Sequence, residues 1–219
     1  MIFHYIEKNL TGQAQETAMA LLFLMDANEE KYDPEILPLE ERFRQMHPQS
    51  KWQPLIDKAI AKNKAFNQAE IPDYIHFPNV DKAKTLKEVT DLYKGKVIFM
   101  DIWATWCGPC RESFAHVKPL QKYAKKNDIV LLYLSIDRPD DDAKWRKMAA
   151  HYDLMGEHVR AQEAFKKEIY DTFGNERGAL SIPRCVIIGK DGKVKFAWAA
   201  SPENMEELAS QLAEASKEE

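Results

Sequence analysis

Four residues, Cys107-Gly108-Pro109-Cys110, constrain what this chain can fold into more than any other feature, because of where they fall. They come just after the apolar run VIFMDIW, residues 97–103, and just before a stretch of helical pattern over residues 112–126. The run is rich in β-forming side chains and is preceded by the turn signal Lys94-Gly95-Lys96, so it predicts a buried strand. A CxxC at a strand-to-helix junction has a specific geometry. If Cys107 caps the helix and Cys110 lies in its first turn, positions i and i+3 share a face. That is within the roughly 4.4–6.8 Å between Cα atoms that a disulfide spans. Pro109 is tolerated because first-turn amides lack an intrahelical partner, and its ring stiffens the loop.

The same placement sets the electrostatics. A helix N-terminus presents free amides and partial positive charge, which favour a thiolate at Cys107 and lower its pKa. The thiolate is the attacking species in disulfide exchange. Cys110, deeper in the helix, is expected to be less exposed and to act second, resolving a mixed disulfide. It needs a proton acceptor, and Asp101 lies in the apolar strand six residues before Cys107. Buried there, a lone carboxylate is destabilised and its pKa rises toward neutrality, which suits proton acceptance. The competing expectation is a solvated Asp101 at a sheet edge.

The rest of the chain reads as two parts, residues 1–70 and 71–219. The first part is helical by pattern. Residues 13–27 carry Ala18, Leu21, Leu22 and Met25 at helical spacing. Asp33-Pro34 suits an N-cap followed by proline, opening a helix to about Met46. Ser50 starts a third helix with Trp52, Leu55, Ile56, Ala59 and Ile60 on a stripe. Three such helices bury little apolar surface by themselves, so they are expected to lean on the rest of the chain, as a packing or interaction module.

Beyond Ile71 the pattern changes. A second apolar run, IVLLYLSI over residues 129–136, predicts another buried strand, and Asp140 to Asp142 favour a helix start. Residues 154–181 are mixed, with a helix expected over 161–173. Residues 185–188 and 193–198 read as strands joined by the hairpin turn Lys190-Asp191-Gly192, and a last helix is expected over 203–215. Strand–helix–strand implies a parallel pair and the hairpin an antiparallel one, so the expected class is α/β with a mixed central sheet flanked by helices, preceded by a small all-α region. Trp145 and Trp198 are expected to be core or partly buried.

Composition excludes several classes. With a formal net charge of −4 and no basic block, nothing suggests nucleic-acid binding. The longest apolar run, residues 18–25, is too short for a bilayer, which needs about 20, and it does not fit an export signal. One CxxC, with His4, His47, His76, His116, His151 and His158 showing no HxxxH or HxxxxH spacing, gives no zinc site. Neither a metal nor another cofactor is expected. Cys185, in an apolar strand, reads as a small buried hydrophobe, with a redox or regulatory role as the alternative.

The segment DIWATWCGPCR, residues 101–111, resembles the thioredoxin active-site motif, with Asp101 and Trp103 at matching positions. The wider pattern is similar to the TlpA/ResA-like branch of the thioredoxin superfamily. The residues that carry this are Ile71-Pro72-Asp73-Tyr74, Thr85-Leu86, residues 92–97 (LYKGKV), Ser181-Ile182-Pro183 and Lys190-Asp191-Gly192-Lys193, over about residues 71–216. Residues 21–62 resemble, more weakly, the helical stretch that precedes this domain in exported members. The resemblance implies a thioredoxin-like fold and a thiol–disulfide oxidoreductase. Its partners would be a protein thiol or disulfide substrate and an upstream electron donor, and its location periplasmic or cell-envelope, with the cytoplasm as the alternative. The chain would then be part of a longer protein. The resemblance also implies a cis bond at Ile182-Pro183, an Ile182 backbone that pairs with extended substrate, and Trp106, Gly108 and Pro109 flanking the nucleophile. A Gly-Pro pair between the cysteines is similar to thioredoxin, a reductant at about −270 mV against about −120 mV for a strong oxidant.

Two positions depart from that branch. Its acidic residue three positions after the second cysteine is Ser113 here, with Glu112 on another helix face; and Arg184, not Thr, follows Pro183. Arg184 is expected either to act on Cys107 or acidic substrates, or to be a solvated rim charge. A peroxiredoxin is disfavoured, since its PxxxTxxC pattern meets Met100 and Ala104. A binding or assembly module, whose helical part holds a partner while the CxxC senses redox state, is the remaining alternative.

Overall fold

The computed structural model describes residues 2–80 and 82–217, so the outermost residues of both expected segments lie outside the described residues. The chain divides into two units, Met1–Ala69 and Glu70–Glu219. The first holds α1 (Ile2–Asn9), α2 (Gly12–Asn28), α3 (Ile36–Met46) and α4 (Gln53–Gln68). Among the described residues four helices rather than three are present, and they have a core of their own. Phe23 of α2 meets Phe3 of α1 and Phe43 of α3 edge to face, at 6.2 and 5.7 Å between ring centroids. Met19, Ala20, Ile56 and Ile60 complete the cluster. The buried face of α2 is therefore Met19, Ala20, Phe23 and Ala27, while Leu21 and Met25, placed on the apolar stripe by spacing alone, are exposed, as is Leu55 of α4. An almost uniformly apolar helix does not state which of its faces is inward; the neighbouring aromatics decide it.

A polar knot lies inside this unit. Asp26 accepts from the Asp33 amide at 3.0 Å and from Asn63 Nδ2 at 2.9 Å, and the same Nδ2 donates to the Asp33 carbonyl at 2.9 Å. The α2–α3 connection it pins contains Glu30 and Tyr32 at positive φ. The predicted caps act just ahead of their helices: Asp33 Oδ1 accepts from the Glu35 amide at 2.9 Å and Ser50 Oγ from the Trp52 amide at 3.2 Å.

The second unit is a six-stranded mixed sheet with helices. Its elements are β1 (Ile75–His76), α5 (Leu86–Thr90), β2 (Ile98–Trp103), α6 (Gly108–Ser113), α7 (Val117–Asn127), β3 (Val130–Ser135), α8 (Asp142–His151), β4 (Gly156–Arg160), α9 (Glu163–Phe173), β5 (Arg184–Ile188), β6 (Val194–Phe196) and α10 (Met205–Lys217). The order is β1-β4-β3-β2-β5-β6. The first four strands in that order run parallel, and β5 and β6 are antiparallel to their neighbours. The expected parallel pair and closing hairpin are both present. β2 sits between β3 and β5 and is buried along its whole length, which is why its sequence is a continuous apolar run.

β4 has no such run. Its sequence GEHVR mixes charged and apolar residues, and its pairing with β1 and β3 makes it a strand. Gly156 enters it at φ +142°, where a Cβ would stand 2.5 Å from the Leu131 carbonyl oxygen. β6 is shorter than expected, and Trp198 lies beyond it in a turn, 66% exposed rather than packed inside. Trp145 is buried, as expected.

Candidate active site

The chain after β2 makes a sharp turn into α6. The Cys107 amide donates to the Ala104 carbonyl at 3.0 Å, closing a four-residue turn. Cys107 is the N-cap of α6, in extended conformation, and Pro109 lies at the helix start where no amide is missed. Cys107 Sγ accepts from the Cys110 amide at 3.2 Å. The two cysteines form a disulfide with Cα atoms 5.3 Å apart. Cys107 is 5% exposed and Cys110 fully buried. Beside them Trp106 is 62% exposed, Pro109 is exposed and Gly108 half-buried.

Asp101 is 1% exposed, in the central strand, so the sheet-edge alternative does not hold. Side chains alternate along a strand, which places Asp101 on the same face as Phe99 and Trp103. Trp103 packs edge to face on Phe114 at 5.1 Å, and Phe114 directly follows α6. The carboxyl is thus on the sheet face that the CxxC helix covers. Its register partners there are Tyr133 of β3 and Cys185 of β5. Oδ1 has no hydrogen-bond partner, and burial pushes the Asp101 pKa up to about 7. Burial, then the nearby Asp101 and Glu203 carboxyls, push the buried Cys185 thiol well above its usual value.

The Ile182-Pro183 bond is cis, and both residues are half-buried. β5 starts at Arg184 opposite Ile102, so Pro183 continues the register toward the end of β2 that leads to Cys107. Arg184 is not a solvated rim charge. It is buried, its guanidinium lies 3.1 Å from the centroid of the Trp198 ring, and Nη1 donates to the Ala197 carbonyl at 3.3 Å. Alternation places its side chain on the face opposite Asp101 and Cys185. Ser113 is buried and donates its hydroxyl to the Cys110 carbonyl at 2.8 Å, while Glu112 is exposed. A hydroxyl bonded to the helix backbone thus stands where the TlpA/ResA-like pattern has an acid.

Pattern reading passed over Asp137. It is fully buried at the carboxyl end of the strand beside β2, and its carboxylate accepts the Thr105 amide (3.1 and 3.0 Å to the two oxygens), the Thr105 hydroxyl (2.9 Å) and the Ser135 hydroxyl (2.8 Å). Its signal was present in the sequence as an acidic residue ending an apolar strand, where sites in parallel sheets are built. Among the described residues no group of three or more His, Cys, Asp or Glu is placed to hold a metal ion, and no helix is long and apolar enough to cross a membrane.

Comparison with known proteins bears on the same segment. The family profile described as Redoxin matches residues 62–212. The chain is 29% identical over 127 residues to the thiol-disulfide oxidoreductase ResA of Bacillus thuringiensis subsp. konkukian, covering 57% of this chain and 65% of that protein. It is 26% identical over 137 residues to the thiol:disulfide interchange protein CycY of Rhizobium leguminosarum bv. viciae, covering 59% and 68%. A crystal structure of a candidate thiol-disulfide oxidoreductase from Bacteroides vulgatus aligns with a TM-score of 0.48 at 27% identity, covering 58% of this chain and 83% of that one. The chain spans just under two thirds of the length of the ResA protein it matches.

Proposed function

This chain belongs to the Redoxin family, and from that premise we propose that it is a thiol–disulfide oxidoreductase that reduces protein disulfides through Cys107 and Cys110. The observation that carries the proposal is the helix cap: Cys107 Sγ accepts the Cys110 amide at 3.2 Å, with the second sulfur in the first turn of the same helix. In the dithiol form that amide and its first-turn neighbours would favour a thiolate at Cys107.

The Cys107 thiolate attacks one sulfur of a substrate disulfide. A Cys107–substrate bond forms, and the other substrate sulfur leaves as a thiolate and takes up a proton. Cys110 loses its proton to Asp101, whose burial-raised pKa of about 7 suits acceptance near neutral pH. The Cys110 thiolate then displaces the second substrate sulfur. The Cys107–Cys110 disulfide forms, and two electrons have passed to the substrate. An upstream dithiol donor returns them. Trp106, Gly108 and Pro109 would flank the incoming disulfide, and the Ile182 backbone beside cis-Pro183 would pair with an extended substrate. In this proposal residues 71–219 are the catalytic domain and residues 1–70 a separate helical region, and the protein acts outside the cytoplasm.

The test is titration of the Cys107–Cys110 couple against a dithiol buffer, together with turnover of a protein disulfide. A potential near or below about −270 mV supports a reductase; one near about −120 mV reverses the direction of electron flow. Absence of any disulfide–dithiol equilibrium would sink the proposal and leave the binding or assembly module.

A further inference from the structure

Asp137 has no part in the thiol chemistry above, yet it is fully buried and its carboxylate is bonded to the loop that delivers Cys107. A carboxylate in such a place calls for an explanation. Removing it from water is costly unless hydrogen bonds compensate, and an apolar residue of similar size would avoid the penalty. Its hydrogen bonds are not scattered. Three of the four contacts reach Thr105, from both the amide and the hydroxyl, and the fourth reaches Ser135 at the end of β3. The Ser135 hydroxyl in turn accepts the Asp137 amide at 3.0 Å, so the carboxylate is itself held.

Thr105 is the second residue of the turn that the Cys107 amide closes on Ala104. The turn is therefore clamped at its second position by Asp137 and tied at its fourth to its first. Trp106 alone lies between the clamp and the nucleophile. The Lys166 ammonium donates to the Asp137 backbone carbonyl at 3.3 Å, which ties the same point to α9.

We propose that Asp137 is a positioning residue whose hydrogen bonds to Thr105 hold the turn before Cys107, and with it the placement of the Cys107 sulfur against Cys110. This rests on the disulfide-exchange reading of the site. Holding two thiols at bonding distance raises their effective concentration for each other, and displacement by about 1 Å can cost about a hundredfold in rate. A loosened turn therefore weakens ring closure. The pair becomes easier to reduce, and the mixed disulfide with substrate persists longer before Cys110 resolves it.

Two variants separate anchoring from charge. In Asp137→Asn, Oδ1 still accepts from the Thr105 amide and hydroxyl and Nδ2 meets the Ser135 hydroxyl, which can rotate to accept, but Nδ2 no longer accepts the Thr105 amide that lay 3.0 Å from Oδ2; the charge is gone and part of the clamp remains. In Asp137→Ala the clamp is gone too. Titration against a dithiol buffer is expected to show Asp137→Ala shifted toward the dithiol by about tenfold, or ~30 mV, with a slower single-turnover resolution step, while Asp137→Asn shifts the same way by clearly less. Asp137→Ala matching wild type, or Asp137→Asn matching Asp137→Ala, would overturn the anchor. Should Asp137→Ala not fold, Thr105→Val decides the matter, since it removes the hydroxyl contact alone. It should shift the couple in the same direction by a smaller amount, and no shift would overturn the anchor. A wild-type protein with no disulfide–dithiol equilibrium would instead mean that the underlying reading of the site is wrong.

Discussion

Asp101 of β2 and Cys185 of β5 are direct partners across the antiparallel ladder, so a carboxyl and a thiol stand side by side on the face that carries the CxxC helix. Both are buried, and each disfavours a negative charge on the other. The pair can hold one charge at most without strong repulsion, and it belongs to Asp101, whose pKa of about 7 lies far below that of the raised thiol.

Replacing Asp101 by Asn should slow mixed-disulfide resolution by about a hundredfold or more, the usual contribution of a general base. The same change bears on stability. The folded Asp101 keeps its proton up to about pH 7, where an unfolded carboxyl has lost it above 3.8. Its contribution to stability is thus complete below pH 3.8 and lost as the pH rises through 7. Asp101→Asn should stabilise the protein at pH 8.5 by on the order of 4 kcal/mol relative to wild type, and by much less at pH 4. Urea unfolding at the two pH values measures the difference; an equal effect at both would mean that the carboxyl is not held protonated.

Cys110→Ser should trap a covalent adduct between Cys107 and substrate, visible by mass spectrometry and released by dithiothreitol. Cys107→Ser should form no adduct and lose turnover. An adduct through Cys110 in the Cys107→Ser protein would reverse the assigned roles.

Cys185 should resist alkylation in the native protein at pH 8, because burial and the adjacent Asp101 keep it a thiol. With the Cys107–Cys110 disulfide intact, one equivalent of label should enter only on unfolding. Rapid native labelling at Cys185 would contradict its burial.

His158 lies under the ring of Tyr133, 4.9 Å between centroids, and Nε2 donates to the Leu154 carbonyl at 2.8 Å. Burial lowers its pKa from 6.5 to about 4. The unfolded chain binds a proton there that the folded one refuses, so this contribution to stability is complete above pH 6.5 and lost as the pH falls through 4. It amounts to about 3 kcal/mol and opposes the Asp101 effect over much of the same window. In Asp101→Asn the acid loss should appear unmasked between pH 7 and 4, and His158→Phe in that background should flatten it. A flat profile before the second change would refute the buried neutral imidazole.

Asn63→Ala removes the donor that joins Asp26 to the Asp33 carbonyl within the helical unit. The buried Asp26 carboxylate would keep the Asp33 amide but lose the Asn63 donor on its second oxygen, which should destabilise the protein by about 1–3 kcal/mol, measured by thermal unfolding. A neutral substitution would mean that water replaces the amide without loss.

Local pattern alone carried the reading of β2 and β3, of the CxxC at the strand–helix junction, and of the final hairpin, because burial of both strand faces, turn chemistry and helix starts are written in neighbouring residues. Where the pattern is uniform or mixed it stopped. The apolar run of α2 did not say that Met19 and Phe23, rather than Leu21 and Met25, face inward. GEHVR did not read as a strand, because its pairing with β1 and β3 makes it one. Trp198 read as core or partly buried and is exposed against Arg184.

The site divides the same way. The chain by itself determined the placement of Cys107, Cys110 and a carboxyl in the strand beneath, since each is placed by spacing along one continuous segment. Which groups surround them was decided by tertiary structure: Cys185 opposite Asp101, and Asp137 clamping Thr105 from 32 residues away. Those meetings depend on strand register, and register is set by how whole faces pack, since a slip of one residue turns every side chain to the other face.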